Sequence, residues 1–286
     1  GLKVAVCDQM EDPSKTKGLV KREVVRVITP GMIIENELLD AKANNWVLCI
    51  ARIASATGLA SLDLSTSTFR LVQNEAIDTI IEEVRRIAPK EVLLNEADRD
   101  NPEISRLIAS MGEVAVTDLP AAAFQVANAR DLLLDQMGTV SLEGFGCEGL
   151  KAGVSAAGAL LSYVRETQKQ ASEHISKIET YHLNDYLMVD DLSCRNLELF
   201  ANTRSGSRQG ALIEVLDKTM TAMGSRNLSQ WLRYPLMDAE AIEARYDAID
   251  EGLRASSLVA RLRETLKAIA DLERLRGKIS MGHASP

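Results

Sequence analysis

Residues Asp190–Leu236 read DDLSCRNLELFANTRSGSRQGALIEVLDKTMTAMGSRNLSQWLRYPL. Four segments follow one another in it: RNLEL at Arg195–Leu199, the Gly/Ser/Arg loop Thr203–Gly210, GALIEVLD at Gly210–Asp217, and MGSRNLSQWLRYPL at Met223–Leu236. They hold several uncommon residues at irregular spacings, which generic helix composition does not generate. Apolar periodicity predicts helices over Leu192–Ala201, Ala211–Val215 and Ala222–Arg233. Pro235 closes the last of these, because the residue before a proline is pushed out of the α region. Leu228, Trp231 and Leu232 form its apolar face, with Arg226 and Arg233 outside that face. Downstream, Ala239–Gly252, Ser257–Ala270 and Leu272–Ser280 read as further helices, and Asp191, Thr221 and Asp238 suit N-cap positions.

Toward the N-terminus the all-helical character begins after Gly149. Leu150, Val154, Ala157, Leu161 and Val164 recur at spacings of four and three, the period of a packed helix face. At about 20 residues such a helix is about 30 Å long, a lever rather than a compact element. Before Gly149 the pattern changes. Trp46–Ala54, Gly58–Asp63 and Thr68–Gln73 read as three successive strands. Ala76–Ile87 carries a helical stripe stopped by Pro89, Glu91–Leu94 is a short buried strand, Pro102–Met111 a helix, Val114–Thr117 a strand and Ala121–Met137 a helix. Three strands followed by strand–helix alternation predict a mixed sheet covered by helices. Nearer the start, residues 3–8 and Val24–Thr29 read as strands, and Thr29-Pro30-Gly31 as a turn and boundary.

At 286 residues, with 46 % apolar and 26 % charged residues, the composition is that of a globular chain of about two domains. No uncharged apolar run of about 18 residues is present, so the sequence offers no membrane-spanning helix. The N-terminus does not read as a signal peptide, and both ends read as cut. Cys7, Cys49, Cys147 and Cys194 share no metal-ligand spacing and read as reduced thiols of a cytoplasmic protein. His174, His182 and His283 are too scattered for a metal cluster. The net charge of −8 is uneven: residues 1–30 carry +2, leaving −10 on the remainder. An acidic body argues against nucleic acid as its main direct partner, because DNA binding depends on basic groups displacing counterions.

Three constellations invite a chemical reading. GFGCEG at Gly144–Gly149 matches a dinucleotide fingerprint and precedes a helix. No parallel strand follows, however, and Glu143 and Glu148 repel phosphate, so a flexible interdomain linker is the stronger reading. Asp63, on an apolar strand beside a hydroxyl-rich turn, suits a Mg²⁺-dependent ribonuclease-H-like nuclease. Two-metal chemistry needs several convergent carboxylates, and Asp78, Glu82, Asp98 and Asp118 fall on helix surfaces or turns with no second strand-borne acid; a turn-capping Asp is the stronger reading. The loop Thr203–Gly210 lacks the GK[ST] ending of a phosphate-cradling loop and reads as a connection between helices.

The Asp190–Leu236 motifs resemble the core segment of the MutS family of DNA mismatch-repair proteins, and the resemblance runs the whole length. It implies an α+β multi-domain chain. Residues 1–30 are similar to the end of the family's mismatch-binding domain, 31–146 to its ribonuclease-H-like α/β connector domain, and 147–286 to the first part of its helical lever and core. AAGALLSYVRETQK (Ala156–Lys169) resembles the first lever helix, which by the resemblance ends near Gln170, with His174–Leu183 extended. The family's Phe-x-Glu wedge, clamp, returning lever helix and ATPase domain find no counterpart. The resemblance therefore carries over no catalytic, cofactor-binding or metal-ligating residue, and places ATP and Mg²⁺ elsewhere in the parent protein. It implies a non-catalytic piece that couples ATPase to DNA binding. The implied partners are the rest of the protein, MutL through the connector, mismatched DNA in the full protein, and a second copy in a homodimer. The basic segment Lys15–Arg26 reads equally as a support for the preceding domain or nearby DNA backbone and as a solvated loop.

Overall fold

A computed structural model describes residues 3–9, 20, 22–168 and 174–280. Of the basic segment, Lys15, Lys17 and Lys21 lie outside the described residues, as does His283. The chain divides into two compact units. The first is Gly1–Leu39, Asn45–Thr180 and Arg276–Pro286, and the second Asp40–Asn44 and Tyr181–Leu275.

The first unit begins with an antiparallel hairpin of β1 (Val4–Gln9) and β2 (Arg22–Ile28). Its main element is a six-stranded mixed sheet of β3 (Val47–Ile53), β4 (Ala56–Asp63), β5 (Thr68–Asn74), β6 (Glu91–Asn95), β7 (Ala115–Leu119) and β8 (Glu179–Thr180), in the order β7-β6-β3-β4-β5-β8. β3, β4 and β5 form an antiparallel meander, while β6 runs parallel to β3, β7 to β6, and β8 to β5. The helices are α1 (Ile77–Ile87), α2 (Pro102–Ala109), α3 (Val126–Met137) and α4 (Lys151–Thr167). Because strand side chains alternate, Val47, Cys49, Ala60, Leu62, Phe69 and Leu71 share a core with α3 and α4, whereas Leu48, Ile50, Leu59, Val72 and Leu94, buried as fully, point the other way. α1 and α2 add Ile80, Val84, Ile104 and Leu107 to the buried set. Burial of both faces is what parallel pairing requires, and the mixed α/β architecture is as expected.

α4 differs from its expectation. Instead of opening the helical region, it packs on the sheet. A Cβ on Gly58 of β4 would lie 2.2 Å from the Ala152 carbonyl carbon, and one on Gly158 would lie 2.3 Å from the Ala129 Cβ of α3. The apolar stripe read as a lever seam is the face that covers β3 and β4. The helix ends at Thr167, where Gln168 leaves it at φ −134° and ψ 68°, its Nε2 donating to the Val27 carbonyl at 2.8 Å. Residues 169–170 lie outside the described residues. The helix expected over Ala121–Met137 is broken at Gln125, because the Phe124 carbonyl accepts from the Ser155 hydroxyl of α4 at 2.6 Å. Thr29 and Gly31, read as a boundary, are buried.

The second unit is helical: α5 (Asp191–Asn196), α6 (Leu212–Leu216), α7 (Ala222–Arg233), α8 (Ala239–Arg254), α9 (Ser256–Leu266) and the start of α10 (Leu272–Ser280). Thr221 and Asp238 cap α7 and α8 as expected. At α5 the cap is Asp190, whose carboxylate accepts from the Ser193 amide at 2.7 Å; Asp191 is already helical and pairs with Arg195. The helix expected to reach Ala201 stops at Asn196. Glu198 adopts a left-handed φ of 49° and its carboxylate accepts from both the amide and hydroxyl of Thr203, turning the chain.

Candidate functional site

Asp63 is fully buried at the end of β4. Its Oδ1 accepts from the Ser65 amide (3.0 Å) and hydroxyl (2.7 Å), and its Oδ2 from the Asn45 amide (3.1 Å). That is a turn-capping carboxylate whose lone pairs are directed at protein donors. Of the other acids weighed with it, Asp78 is held by Arg106, Glu82 by Arg85, and Asp118, which lies on β7 rather than on a helix surface or turn, by Arg99. Burial raises the Asp98 carboxyl, against the charge of Arg52. Among the described residues no three His, Cys, Asp or Glu side chains are grouped so as to hold a metal. The nuclease reading has no geometric support.

The dinucleotide reading fails at the helix that would receive the phosphate. Anions bind at helix N-termini because the first amides lack intrahelical acceptors. At α4 the Ala152 and Gly153 amides donate to Gln73 Oε1 of β5 (2.9 and 3.1 Å), and Lys151 and Val154 to the Gly149 and Leu150 carbonyls. Nor is Gly144–Gly149 a free linker. Leu142 and Cys147 are fully buried, Gly146 turns at φ +72°, and Glu148 accepts from the Leu142 amide (2.6 Å) and Arg130 Nε (2.7 Å). The Arg130 hydrogen bond, helped by the Leu142 amide, holds the Glu148 carboxyl below its usual range. Burial raises the Cys49 and Cys147 thiols, which are inert packing groups rather than nucleophiles.

Two buried polar nodes stand out instead, one in each unit. The first centres on Glu91, a strand-borne acid overlooked in the sequence, at the start of β6 and 0 % exposed. Its Oε2 accepts from the Thr29 hydroxyl and the Gly31 amide (3.1 Å), and its Oε1 from Thr117 Oγ1 of β7 (2.9 Å) and the Tyr163 hydroxyl of α4 (2.8 Å). Four donors from three segments, the Thr29–Gly31 turn, β7 and α4, thus converge on one carboxylate of a fourth, β6. Gly31 approaches so closely that a Cβ there would sit 2.8 Å from Val47 Cβ and 2.9 Å from Glu91 Cβ. Burial, with the Glu91 charge alongside, pushes the Tyr163 hydroxyl far above its usual range, so it remains a donor. Nearby, Asn45 Nδ2 donates to the Pro30 carbonyl (3.0 Å), and Arg26 pairs with Glu35 (2.7 Å). The segment following β2 is therefore sewn into the sheet by polar contacts. Its sequence signal was a lone acid opening an otherwise apolar strand, EVLL.

The second node corrects the reading of α7. Arg226, expected outside its apolar face, is 3 % exposed, whereas Trp231 is 45 % exposed with the Arg245 guanidinium 3.8 Å from its ring centre. Arg226 can be buried because its donors are met: both Asp271 oxygens at 2.7 and 2.8 Å, Glu273 at 2.6 Å, and the Ala41 carbonyl at 2.8 Å. Such planar, forked pairing is what a guanidinium supplies and an ammonium does not. Beside it Asp217 accepts from Arg208 (2.6 Å), Ser225 (2.6 Å), Thr219 (2.6 Å) and Lys42 (3.1 Å). Burial raises its carboxyl, but the Ser225, Thr219 and Lys42 hydrogen bonds outweigh that and hold it far below the usual range. The loop Thr203–Gly210 is a structural connection: Asn202 Oδ1 accepts from the Arg204 and Ser205 amides, Ser205 bonds Ser207, and the Gly210 amide donates to Glu214.

Comparison with known proteins accounts for both units. Three family models match in order: MutS domain I over residues 1–37, MutS domain II over 45–179, and MutS domain III over 193–286. The DNA mismatch repair protein MutS of Desulforapulum autotrophicum is 48 % identical over 100 % of this chain and 32 % of its own length. The proteins of the same name from Desulfosudis oleivorans and Symbiobacterium thermophilum are 47 % and 43 % identical over 100 % of the chain, and 32 % and 33 % of their own lengths. With all three domain models in their order, and relatives that align from end to end of it, the chain belongs to the MutS family and spans about a third of the length of the curated relatives it matches.

Proposed function

We propose that this chain is the coupling segment of a DNA mismatch-repair protein. In that reading the parent binds mismatched DNA and uses ATP and Mg²⁺ outside these residues, becoming a sliding clamp. This segment performs no catalysis and passes conformational change between the DNA-binding and ATP-hydrolysing parts. Its α/β unit offers a surface to MutL, the parent works as a homodimer, and its setting is the cytoplasm. The observation that best supports coupling is the Glu91 node. A carboxylate shared by four segments has one well-satisfied arrangement and poor intermediate ones, so the parts it joins move together or not at all, as rigid-body switching requires. Among the described residues no helix is long and apolar enough to cross a membrane. The acidic net charge of −8 suits a segment that does not itself hold DNA.

The test compares the 286-residue chain with its full-length parent for ATP hydrolysis and for binding of mismatched duplex at physiological salt. Activity in the parent and none in the chain supports the coupling role. Mismatch-selective binding or nucleotide turnover by the chain alone overturns it.

A further inference from the structure

Residues Asp40–Asn44 fall between the stretches matching MutS domain I and domain II, yet they belong to the helical unit built from the stretch matching domain III. Two buried arginines of that unit read three backbone carbonyls of this five-residue segment. Arg274 Nη2 donates to Asp40 and Ala43, both at 2.9 Å, and Arg226 Nη1 donates to Ala41 at 2.8 Å. Lys42, the residue between, reaches Asp217 at 3.1 Å. Each arginine is 3 % exposed, while the side chains of Asp40 to Ala43 are exposed. The segment is thus held by its main chain, tightened into a turn by the Lys42 amide donating to Asp40 Oδ1 (2.8 Å).

The receptor is built independently of what it holds. Asp271 and Glu273 fix the Arg226 fork, and Arg208, Ser225 and Thr219 already orient Asp217. Guanidinium groups fixed by carboxylates and aimed at carbonyl oxygens form a peptide-backbone clamp. The chain on either side is anchored elsewhere. Met32 and Ile34 lie in the core of the first unit, and Asn45 and Trp46 lead into β3.

We propose that Arg226, Arg274 and Asp217 form a clamp whose ligand is the strap Asp40–Asn44 of the same chain, and that capture and release of this strap is a latch within the coupling segment. The latch rests on the coupling role proposed above. With the strap held, the link between the stretches matching domains I and II is fastened to the helical unit; with it released, that link is free, and the chain's own passage from Thr180 into Tyr181 still leads into the helical unit. Recognition chiefly through main-chain carbonyls makes the capture tolerant of strap sequence outside Lys42 and dependent on strap length.

Hydrogen exchange tests the clamp on the 286-residue chain. One variant is Arg274→Lys, and a second inserts Gly-Ser-Gly-Ser between Ala43 and Asn44, leaving every residue from Tyr181 to Leu275 unchanged. The clamp requires slow exchange of the Lys42 and Ala43 amides in the parent chain, at least tenfold faster exchange in both variants, and unchanged protection of α7. Strap amides that exchange freely in the parent chain, or at the same rate in the insertion variant, overturn it. The full-length protein carrying the same insertion tests the latch: an altered rate of ATP-triggered release from mismatched duplex supports it. Faster strap exchange with unaltered release overturns the latch while leaving the coupling role of the whole segment standing.

Discussion

Replacing Glu91 with Gln tests the polar node most directly, since the two side chains are nearly isosteric. Glu91 presents two acceptor oxygens to four donors; Gln presents one oxygen and an NH₂. With the NH₂ toward Thr29 and Gly31, the Gly31 amide is a fixed backbone donor left facing another donor. With it toward Thr117 and Tyr163, two hydroxyls of buried residues must rotate away from the site. Loss of a buried negative charge acts in the opposite direction, relieving desolvation. Four donors already directed at the site compensate that charge, so donor–donor opposition dominates. One orphaned buried donor costs about 1–3 kcal/mol, which at about 2–4 °C per kcal/mol for a domain of this size lowers Tm by roughly 2–12 °C. Tyr163→Phe removes a single donor and costs about 1–2 kcal/mol by the same reasoning. Because both variants act on one network, the double variant is non-additive by at least about 0.5 kcal/mol. Calorimetric melting of the four proteins reads all of this. A Glu91→Gln protein melting within 1 °C of the parent, or strict additivity, refutes the node as described.

Gly58→Ala places a Cβ 2.2 Å from the α4 backbone, where no side chain can yield. It should cost at least about 3 kcal/mol of stability, seen in thermal melting or as loss of soluble protein, whereas Gly112→Ala, open around its Cβ but strained at φ +70°, should cost only about 1 kcal/mol. Asp217 has a depressed carboxyl, so its contribution is present above the unfolded carboxylate value near 4 and is lost as pH falls through the lower folded one. Asp217→Asn should therefore destabilise the chain at pH 7 and progressively less below about pH 4, followed by chemical denaturation across pH. His174 is held below its usual range by burial, with the Arg276 charge acting the same way. A base with a lowered folded value contributes stability above the unfolded value near 6.5 that is lost as pH falls. The stability of the 286-residue chain should thus drop as pH falls below about 6.5, a step that His174→Gln removes.

The sheet was legible because its signals are local: Trp46–Ala54 and Gly58–Asp63 are apolar runs of strand length, and each forms a strand within two residues of its expected ends. What escaped were features decided by distant partners. The stripe of α4 has the same period whether it faces another helix or a sheet; Gly58, a bare glycine in a strand, marks the backbone-to-backbone approach that decides the case. Ala121–Met137 has the composition of one helix, and only the Ser155 hydroxyl, which takes the Phe124 carbonyl, breaks it. Asp63 could be read as a turn cap, since Ser65 lies two residues away, whereas the Glu91 donors come from as far as Thr29 and Tyr163. Arg226 was placed outside because arginine is almost never buried unless paired, and its carboxylate partners lie 45 and 47 residues downstream.

Both places where this chain gathers remote segments use charge rather than apolar contact, and that choice has a physical consequence. An apolar joint slides, because one buried methyl group is much like the next. A carboxylate with four donors, or a guanidinium with two carboxylates and a carbonyl, loses several interactions together when displaced by an ångström, since hydrogen bonds weaken steeply with distance and angle. At Glu91 that steepness locks the Thr29–Gly31 turn to β6, β7 and α4. At Arg226 it locks the strap to α7 and to the Asp271–Glu273 corner. The contrast lies in access. Glu91 is sealed inside one core, so its segments part only on unfolding, whereas the strap side chains are exposed and the strap is held by three main-chain carbonyls and the Lys42–Asp217 pair. Local opening takes place where few apolar contacts must break. The strap can therefore let go while both units stay folded, which makes it the joint at which a folded segment of this kind would be switched.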